Sequence, residues 1–327
     1  MGASWADSTK ALYGNALLVY HVYCDLNGPI LDHERCPMSS TLLLTFLSSC
    51  AGGASGSALS NYATGLKAWH MLHGQPWNIP QDELRLMLQG AACLAPRNSK
   101  CAKRLLVTID DLKIIWASLD MNDPCDAGIY ACMVVTFYCI ARLGEFMVPN
   151  IREKFDPTKY VTWQDVQMLK DQDGLPVIKF RILVTKCEAT GEDMQCVPQA
   201  GCVTDPEAAL QNHLHLNPAP PDAHLFAWKH PKSGLRPLSK TQVTNKLAEI
   251  AKRNDLADLK GHSLRIGGTL FYLLKGVPFD VVKVIGRWAR DTFTLYLRDH
   301  ALILAPFLQS EPRIFNDFMH IAMPPVH

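Results

Sequence analysis

"KGHSLRIGGTLFYLLKGVPFDVVKVIGRWARDTFTLYLR", residues 260 to 298, combines two helix patterns with basic and aromatic side chains at their ends. Within it, "LRIGGTLFYLLKG" predicts a helix that Gly276 ends, and Pro278 begins a further helix that Gly286 ends. The side chains that could carry chemistry therefore fall at the ends of predicted helices.

His262 and Arg265 stand three residues apart at the start of the first of these helices. If Ser263 or His262 is the cap, both side chains project to the same side, as do the backbone N–H groups of the first turn. A helix N-terminus with an imidazole and a guanidinium beside it is a receptor for a phosphodiester. On its own, His262 would be interpreted as a capping or core histidine.

The segment "GRWARDTFTLY", residues 286 to 296, places Trp288 eight residues before Tyr296. Phe293 and Tyr296 are three residues apart, as core residues of a helix often are, and we expect Phe293 to pack inward. A core face does not account for the arginines interspersed here and just beyond, which are Arg287, Arg290 and Arg298.

Residues 126 to 146 are apolar on nearly all faces, which predicts a central buried helix. Arg142 lies late in this segment, and Glu145 follows three residues on. Such a pair is usually a helix surface pair. On a buried helix, however, an arginine is costly unless it is paired or points into a functional cleft, so Arg142 is a candidate site residue.

Three segments with β-branched residues between turn signals, 161–169, 175–185 and 194–199, predict a small antiparallel sheet. Lys186 ends the second strand, where an isolated lysine would be interpreted as a solvated hairpin residue. Lys179 is the alternative if Lys186 points away. Helices return after Pro206, so the predicted fold class is α+β, mainly α with a small antiparallel sheet.

The N-terminal part of the chain predicts a separate all-helical domain over residues 1–94, with helices at 8–27, 39–52 and 57–73 and a fourth after Pro80. Residues 95–107 have the composition of an exposed basic linker, and residues 108–327 form the second predicted domain, opened by a Thr108 cap. Four linker side chains are candidates for contact with a phosphate backbone: Arg97, Lys100, Lys103 and Arg104.

The net charge of +1 conceals an uneven distribution. Residues 221–300 hold fourteen Lys and Arg against seven Asp and Glu, a surplus of seven, which leaves −6 for the remainder. Charge alone favours a solvated face. The alternative is a nucleic-acid surface, whose candidate backbone contacts share one predicted helix: Lys240, Lys246, Lys252 and Arg253.

Composition and motifs exclude several other classes of protein. The eleven cysteines have no paired spacing, which indicates reduced thiols in a cytosolic or nuclear setting. Cys196, Cys202, His213 and His215 miss the usual zinc-finger spacings. We expect neither a membrane span nor a secretory signal. No Walker-type phosphate loop, dinucleotide-binding glycine turn or H-E-x-x-H motif occurs.

The order of these pieces resembles the catalytic set of the tyrosine recombinase (integrase) superfamily. "ARLGE" is similar to its first-arginine box, "HSLR" to its H-x-L-R box, and "GRWARDTFTLYLR" to the box that contains the nucleophilic tyrosine. The resemblance covers both domains and implies a core-binding domain and a catalytic domain in a C-shaped DNA clamp. More narrowly, residues 260–298 resemble recombinases of Crypton-type eukaryotic transposons and their fungal relatives. The interval from Trp288 to Tyr296 is one residue shorter than bacterial members usually have.

The resemblance implies a catalytic set of six residues: Arg142, Lys186, His262, Arg265, Trp288 and Tyr296. It implies strand cleavage through a 3′-phosphotyrosyl intermediate, with no cofactor and no metal, on double-stranded DNA. It also implies excision or integration of a transposon in the nucleus. A homotetramer would form on two DNA sites, with the C-terminal tail docked on a neighbouring subunit.

Two alternatives stay open. One is a topoisomerase IB-like or hairpin-forming enzyme that breaks and rejoins DNA with the same residues without pairing two sites. The other is a domesticated DNA-binding protein that has lost catalysis. All six catalytic positions are filled, which weighs against the second alternative.

Overall fold

The structure is a computed structural model and describes residues 5–28, 30–99, 105–150, 155–185, 191–256 and 259–288. The chain divides into two compact units, Met1–Lys103 and Arg104–His327. This division falls within the basic segment 95–107. Among the described helices, none combines the length and the apolar character that crossing a membrane requires.

The N-terminal unit is helical. Its helices are α1 (Asp7–Leu26), α2 (Asp32–Arg35), α3 (Ser40–Cys50), α4 (Gly56–Leu72) and α5 (Gln81–Leu94). The four predicted helices are confirmed as α1, α3, α4 and α5, and only the one-turn α2 was not predicted. The hydroxyls of Ser39 and Ser55 cap α3 and α4. In the core, the rings of Tyr20 and Phe46 meet edge to face with centroids 5.4 Å apart.

The second unit contains an almost fully buried helix, α7. The helices of this unit are α6 (Ile109–Ser118), α7 (Pro124–Tyr138), α8 (Pro206–Leu216), α9 (Lys240–Arg253), α10 (Gly261–Leu274) and α11 (Phe279–Ile285). Every residue of α7 from Ala127 to Tyr138 is buried, as its apolar sequence predicts. Helices α8 and α10 both pack against it. The core of this unit is therefore built around one helix.

The predicted sheet is confirmed, with shifted ends. Strands β1 (Val166–Lys170), β2 (Pro176–Ile182) and β3 (Glu192–Cys196) pair antiparallel in that order. β1 begins late because Trp163–Asp165 form a 3₁₀ turn closed by Asp165 on Thr162. A second hairpin, β4 (Trp228–His230) and β5 (Gly234–Arg236), was not predicted.

Candidate active site

Arg142 lies in a turn, and the expectation that it belongs to the central helix is wrong. Helix α7 ends at Tyr138, and Ile140 adopts a left-handed conformation with φ 47°. The N–H of Ile140 bonds to Phe137 and the N–H of Ala141 to Thr136, the pattern of a Schellman C-cap. Tertiary contacts override the helical propensity of the sequence at this point.

The R-x-x-E spacing closes a 3₁₀ turn after this cap. The backbone N–H of Arg142 donates to Oε2 of Glu145 at 2.9 Å, and its guanidinium donates to Oε1, also at 2.9 Å. The Arg142 side chain is 31% exposed and Glu145 is 7% exposed. Glu145 therefore binds both the backbone and the side chain of Arg142 and sets its direction.

Helix α10 begins at Gly261 with Lys260 as its N-cap, so neither Ser263 nor His262 is the cap. A Cβ at Gly261 would lie 2.6 Å from Cδ2 of Leu143, which shows how closely the helix start approaches the Arg142 turn. A Cβ at Gly267 would overlap the carbonyl of Val107. Glycines thus permit the close packing that places His262 near Arg142.

Arg142 and His262 line the same cleft, which encloses about 830 Å³. Three lysines also line the cleft: Lys159, Lys240 and Lys260, the N-cap of α10. Among the described lining residues the one acidic side chain is Glu145, which Arg142 and Arg287 neutralise. The N-terminus of α10 adds its partial positive charge. The cleft has the electrostatics of an anion site, as the sequence predicts for His262.

Arg265 is placed differently from the expectation, because its side chain is fully buried and is not among the residues lining this cleft. Its guanidinium donates to the carbonyl of Ile140 at 2.6 Å and to that of Gly286 at 2.5 Å. These carbonyls belong to the C-terminal ends of α7 and α11, where a cation is favoured by the helix dipoles. Although both residues lie on α10, His262 therefore lines the cleft and Arg265 is buried between helix ends.

Trp288 stacks on Arg265, with Cζ of the arginine 4.3 Å from the ring centroid. A Cβ at Gly286 would overlap the indole ring, so the ring passes directly over this glycine. One contact therefore explains the first and last residues of the G-R-W motif. Gly286 leaves room for the indole of Trp288, and the indole covers the buried guanidinium of Arg265.

Arg287 is the site residue that sequence reasoning missed, since it appeared there only as an interspersed arginine. Its guanidinium bonds to Glu145 at 2.6 Å and to Glu192 at 2.9 Å. Burial alone raises the pKa of Glu145, but the charge of Arg287 and the hydrogen bonds from Arg142 outweigh it and hold the pKa below its ordinary value. The R-x-x-E motif pointed to Glu145, whereas nothing local pointed to Glu192.

Two of the predicted catalytic residues, Lys186 and Tyr296, lie outside the described residues, as does the C-terminal tail. Thr185, which precedes Lys186, lines the cleft. The alternative lysine, Lys179, lies on β2, pairs with Asp193 at 2.7 Å and is not among the described lining residues. Its position gives no support to a role in this cleft.

The candidate DNA-backbone residues of α9 separate into different environments. Lys240 is exposed at the start of the helix and lines the cleft. Lys246 pairs with Asp126 at 3.1 Å, which ties α9 to the start of α7, and Arg253 pairs with Glu249 on its own helix at 2.6 Å. Lys252 is exposed, as is Arg97 in the N-terminal unit. The remaining linker candidates, Lys100, Lys103 and Arg104, lie outside the described residues.

Of the weak metal candidates of the sequence, His213 has a structural role, whereas Cys202 and His215 are exposed. His213 is buried, with Nε2 3.2 Å from the carbonyl of Leu225 and Nδ1 3.0 Å from the Asn217 amide. Burial lowers the pKa of His213 to about 4. Within the described residues no three His, Cys, Asp or Glu side chains are grouped so that they could hold a metal ion.

Comparison with known proteins places the fold. No protein-family model matches the sequence, and no curated protein matches it either. The XerH site-specific recombinase in a post-cleavage complex with a palindromic difH substrate is similar over 88% of this chain and 75% of its own, with a TM-score of 0.56 and 16% identity. A lambda integrase dimer bound to a COC′ core site is similar over 90% of both chains, with a TM-score of 0.50 and 14% identity. This chain therefore has the fold of the tyrosine recombinases and integrases, with a helical unit resembling their core-binding domain and a second unit resembling their catalytic domain.

Proposed function

We propose that this protein is a DNA recombinase that breaks and rejoins DNA strands through a covalent phosphotyrosine. The observation that carries the proposal is the shared cleft of Arg142 and His262, lined with lysines and set against the N-terminus of α10, in a chain with the recombinase fold. Phosphodiester groups suit such a cleft because cations and a helix N-terminus both favour them.

In the proposed reaction the phenolic oxygen of Tyr296 attacks a DNA phosphorus, and the bond from phosphorus to the 5′-oxygen breaks. The products are a 3′-phosphotyrosyl bond and a free 5′-hydroxyl. The phenol must lose its proton, and the leaving oxygen must gain one. Because the phosphotyrosine conserves the energy of the phosphodiester, a different 5′-hydroxyl can reverse the step and exchange strands.

The cations of the cleft would stabilise the negative charge that develops on the non-bridging phosphate oxygens in the transition state. Arg142 is proposed to hold these oxygens with its planar guanidinium, and His262 to orient the phosphate or assist proton transfer. Lys186 is proposed to protonate the leaving oxygen, and the indole N–H of Trp288 to donate to the phosphate. Arg265 is proposed to complete this set, but its guanidinium is fully buried and bonded to the carbonyls of Ile140 and Gly286, so it must become exposed to reach a phosphate oxygen.

The finer parts of the proposal rest on the resemblance of residues 260–298. They are a Crypton-type recombinase, a role in transposon excision or integration, a nuclear location and a tetramer on two DNA sites. The tail after Tyr296 is apolar, which supports docking on a neighbouring subunit. Light scattering of a chain lacking residues 310–327 tests this: loss of the DNA-bound tetramer is expected, and an undiminished tetramer would contradict it.

The deciding experiment captures the covalent intermediate. The protein is incubated with a pool of duplexes that carry a nick beside a randomised segment, so that cleavage releases a short fragment and religation fails. A protein–DNA adduct on a denaturing gel is the expected result. Tyr296→Phe should abolish it. Tyr272→Phe is the matched control, because that part-buried hydroxyl donates to the Tyr138 carbonyl.

Other outcomes distinguish the alternatives. An adduct that persists in Tyr296→Phe would refute the nucleophile. Relaxation of supercoiled DNA by a monomer favours the topoisomerase-like enzyme. Binding to duplex DNA without any adduct, in the wild-type protein, favours the domesticated DNA-binding protein.

A further inference from the structure

We propose that Arg287 is a positioning residue of this site, which holds the Glu145 carboxylate for Arg142 and ties β3 to the segment that leads to Tyr296. The inference rests on the proposed function, and it concerns a residue outside the six-residue catalytic set. Arg287, the middle residue of G-R-W, would orient the side chains that contact the phosphate. Arg287 itself would not contact the phosphate.

The first support is the geometry of the ion pairs. Nη2 of Arg287 lies 2.6 Å from Oε2 of Glu145, and Nη1 lies 2.9 Å from Oε2 of Glu192. The side chains of Arg287 and Glu145 are 8% and 7% exposed. Removing one partner of such a buried pair leaves an uncompensated charge, so the interaction is expected to hold its partners firmly.

The second support is how Glu145 divides its two oxygens. The Arg142 guanidinium binds Oε1, whereas Oε2 binds both the backbone N–H of Arg142 and the Arg287 guanidinium. With Oε2 held by Arg287, Oε1 is presented to the Arg142 side chain. Loss of Arg287 would leave Oε2 held by the backbone N–H of Arg142 and not by a second cation, so the carboxylate and the Arg142 guanidinium would be less firmly oriented.

The third support is the backbone at Arg287. The N–H of Arg287 bonds to Val284 and that of Trp288 to Lys283, so Arg287 occupies the left-handed position of a Schellman cap with φ 55°. Glycine is favoured at that position, and an arginine there is strained. The two ion pairs offset this strain, and the same turn brings Trp288 onto Arg265.

Through these contacts Arg287 joins parts of the site that are distant in sequence. Glu192 is the first residue of β3, the strand that follows the segment containing Lys186. Glu145 closes the Arg142 turn, and Trp288 is the next residue in the chain. One guanidinium therefore links the arginine turn, the sheet and the segment before Tyr296.

The experiment compares Arg287→Met, Arg287→Lys and Glu192→Gln with wild type. It measures the adduct rate at saturating DNA, the DNA dissociation constant and thermal unfolding. Arg287→Met is expected to slow adduct formation by about 10- to 100-fold, the scale that a small misplacement of a catalytic group costs. DNA affinity should change by less than about 3-fold, because the cleft cations that bind phosphate stay in place.

Arg287→Lys should recover part of the rate, since an ammonium can bind one carboxylate but not bridge two.

Arg181→Met is the matched control. Arg181 pairs at 3.1 Å with Asp193, the neighbour of Glu192, but the two side chains are 46% and 40% exposed. The adduct rate and the thermal unfolding of this variant should match wild type, because an exposed pair contributes little. If Arg287→Met does not fold, the rates of Arg287→Lys and Glu192→Gln decide the question.

A second readout does not depend on catalysis. The titration of Glu145 is followed by carbon-13 NMR of the labelled carboxylate in wild type and in Arg287→Lys. Its pKa should be higher in the variant, because the ammonium replaces only part of the charge contact that opposes burial. The adduct rate of the variant should then fall as the pH is lowered through that titration, while the wild-type rate does not.

The outcomes separate the two proposals. If wild type forms no adduct, the proposed function fails, and an unchanged Glu145 titration would then also overturn the role of Arg287. If wild type forms the adduct and folded Arg287→Met does so at the same rate, the positioning role is overturned alone. An equal loss of rate and of DNA affinity would show a general structural role and would likewise overturn it.

Discussion

The guanidinium of Arg265 lies 4.3 Å from the centroid of the Trp288 ring, and both side chains are buried. The same guanidinium donates to the carbonyls of Ile140 and Gly286. A residue of the H-x-x-R motif and a residue of the G-R-W motif thus form one cation–π pair at the ends of two helices. The two motifs act together because α7, α10 and α11 meet at this point.

This pairing makes the stability of the protein depend on the size of residue 288. Trp288→Ala is expected to lower the free energy of unfolding by about 3 kcal/mol, because it leaves a cavity and uncovers a buried cation. Trp288→Phe keeps an aromatic face over Arg265 and should cost less than about 1.5 kcal/mol. Urea unfolding of the three proteins measures both values, and equal losses would contradict the stacking role.

The G-R-W motif also predicts a severe effect at Gly286. Gly286→Ala should displace the indole from Arg265, because the added methyl group would occupy the position of the ring. We expect a loss of about 2 kcal/mol in stability, the scale of an overpacked core, and a slower adduct rate. Gly90→Ala in α5 is the control, since a Cβ there meets nothing within 4 Å and alanine favours a helix. An undisturbed Gly286→Ala variant would argue against the observed ring position.

The lysines of α9 should separate in their effect on DNA binding. Lys240→Met is expected to weaken binding to duplex DNA and to reduce the slope of affinity against salt concentration by about one, as removal of a phosphate contact does. Lys246→Met should leave that slope unchanged and lower stability, because Lys246 pairs with Asp126. Fluorescence anisotropy across a salt series, with thermal unfolding alongside, distinguishes the two. Equal slopes in the two variants would contradict the assignment of Lys240 to the cleft.

Stability should fall as the pH is lowered below about 6.5. Burial lowers the pKa of His213 to about 4 and that of His224 to about 3, from an ordinary value of 6.5. Between about pH 6.5 and pH 4 the unfolded chain therefore binds protons that the folded chain does not, and folding loses stability as the pH falls. Each histidine contributes up to about 1.4 kcal/mol for each pH unit in that window.

Urea unfolding between pH 7.5 and pH 5 checks this dependence. His213→Gln should show a shallower dependence than wild type, because the variant keeps only His224 of this pair of buried histidines with a lowered pKa. The range ends above the ordinary pKa of carboxyl groups, so the lowered pKa of Glu145 affects stability only at more acidic pH. An identical pH dependence in the variant and the wild type would contradict the buried neutral state of His213.

The helices could be predicted because their signals are local. Thr108 caps the helix that follows it, as expected from the sequence, and Ser39 and Ser55 likewise cap helices that were predicted to begin within two residues of them. Helix ends that are fixed by contacts with residues distant in sequence could not be predicted from the sequence. Helix α7 stops at Tyr138 although its apolar pattern continues, because Ile140 turns left-handed and its carbonyl binds Arg265, 125 residues away.

By itself, the sequence determined which residues are available for chemistry, since the order from Arg142 to Tyr296 and the helix starts can be read along the chain. Only the tertiary structure decided which of them share a cleft. Arg142 and His262 do, Arg265 is buried beneath Trp288, and Arg287 bridges two carboxylates. The physical reason is that burial and ion pairing depend on residues brought together by packing, and local sequence spacing carries no information about those partners.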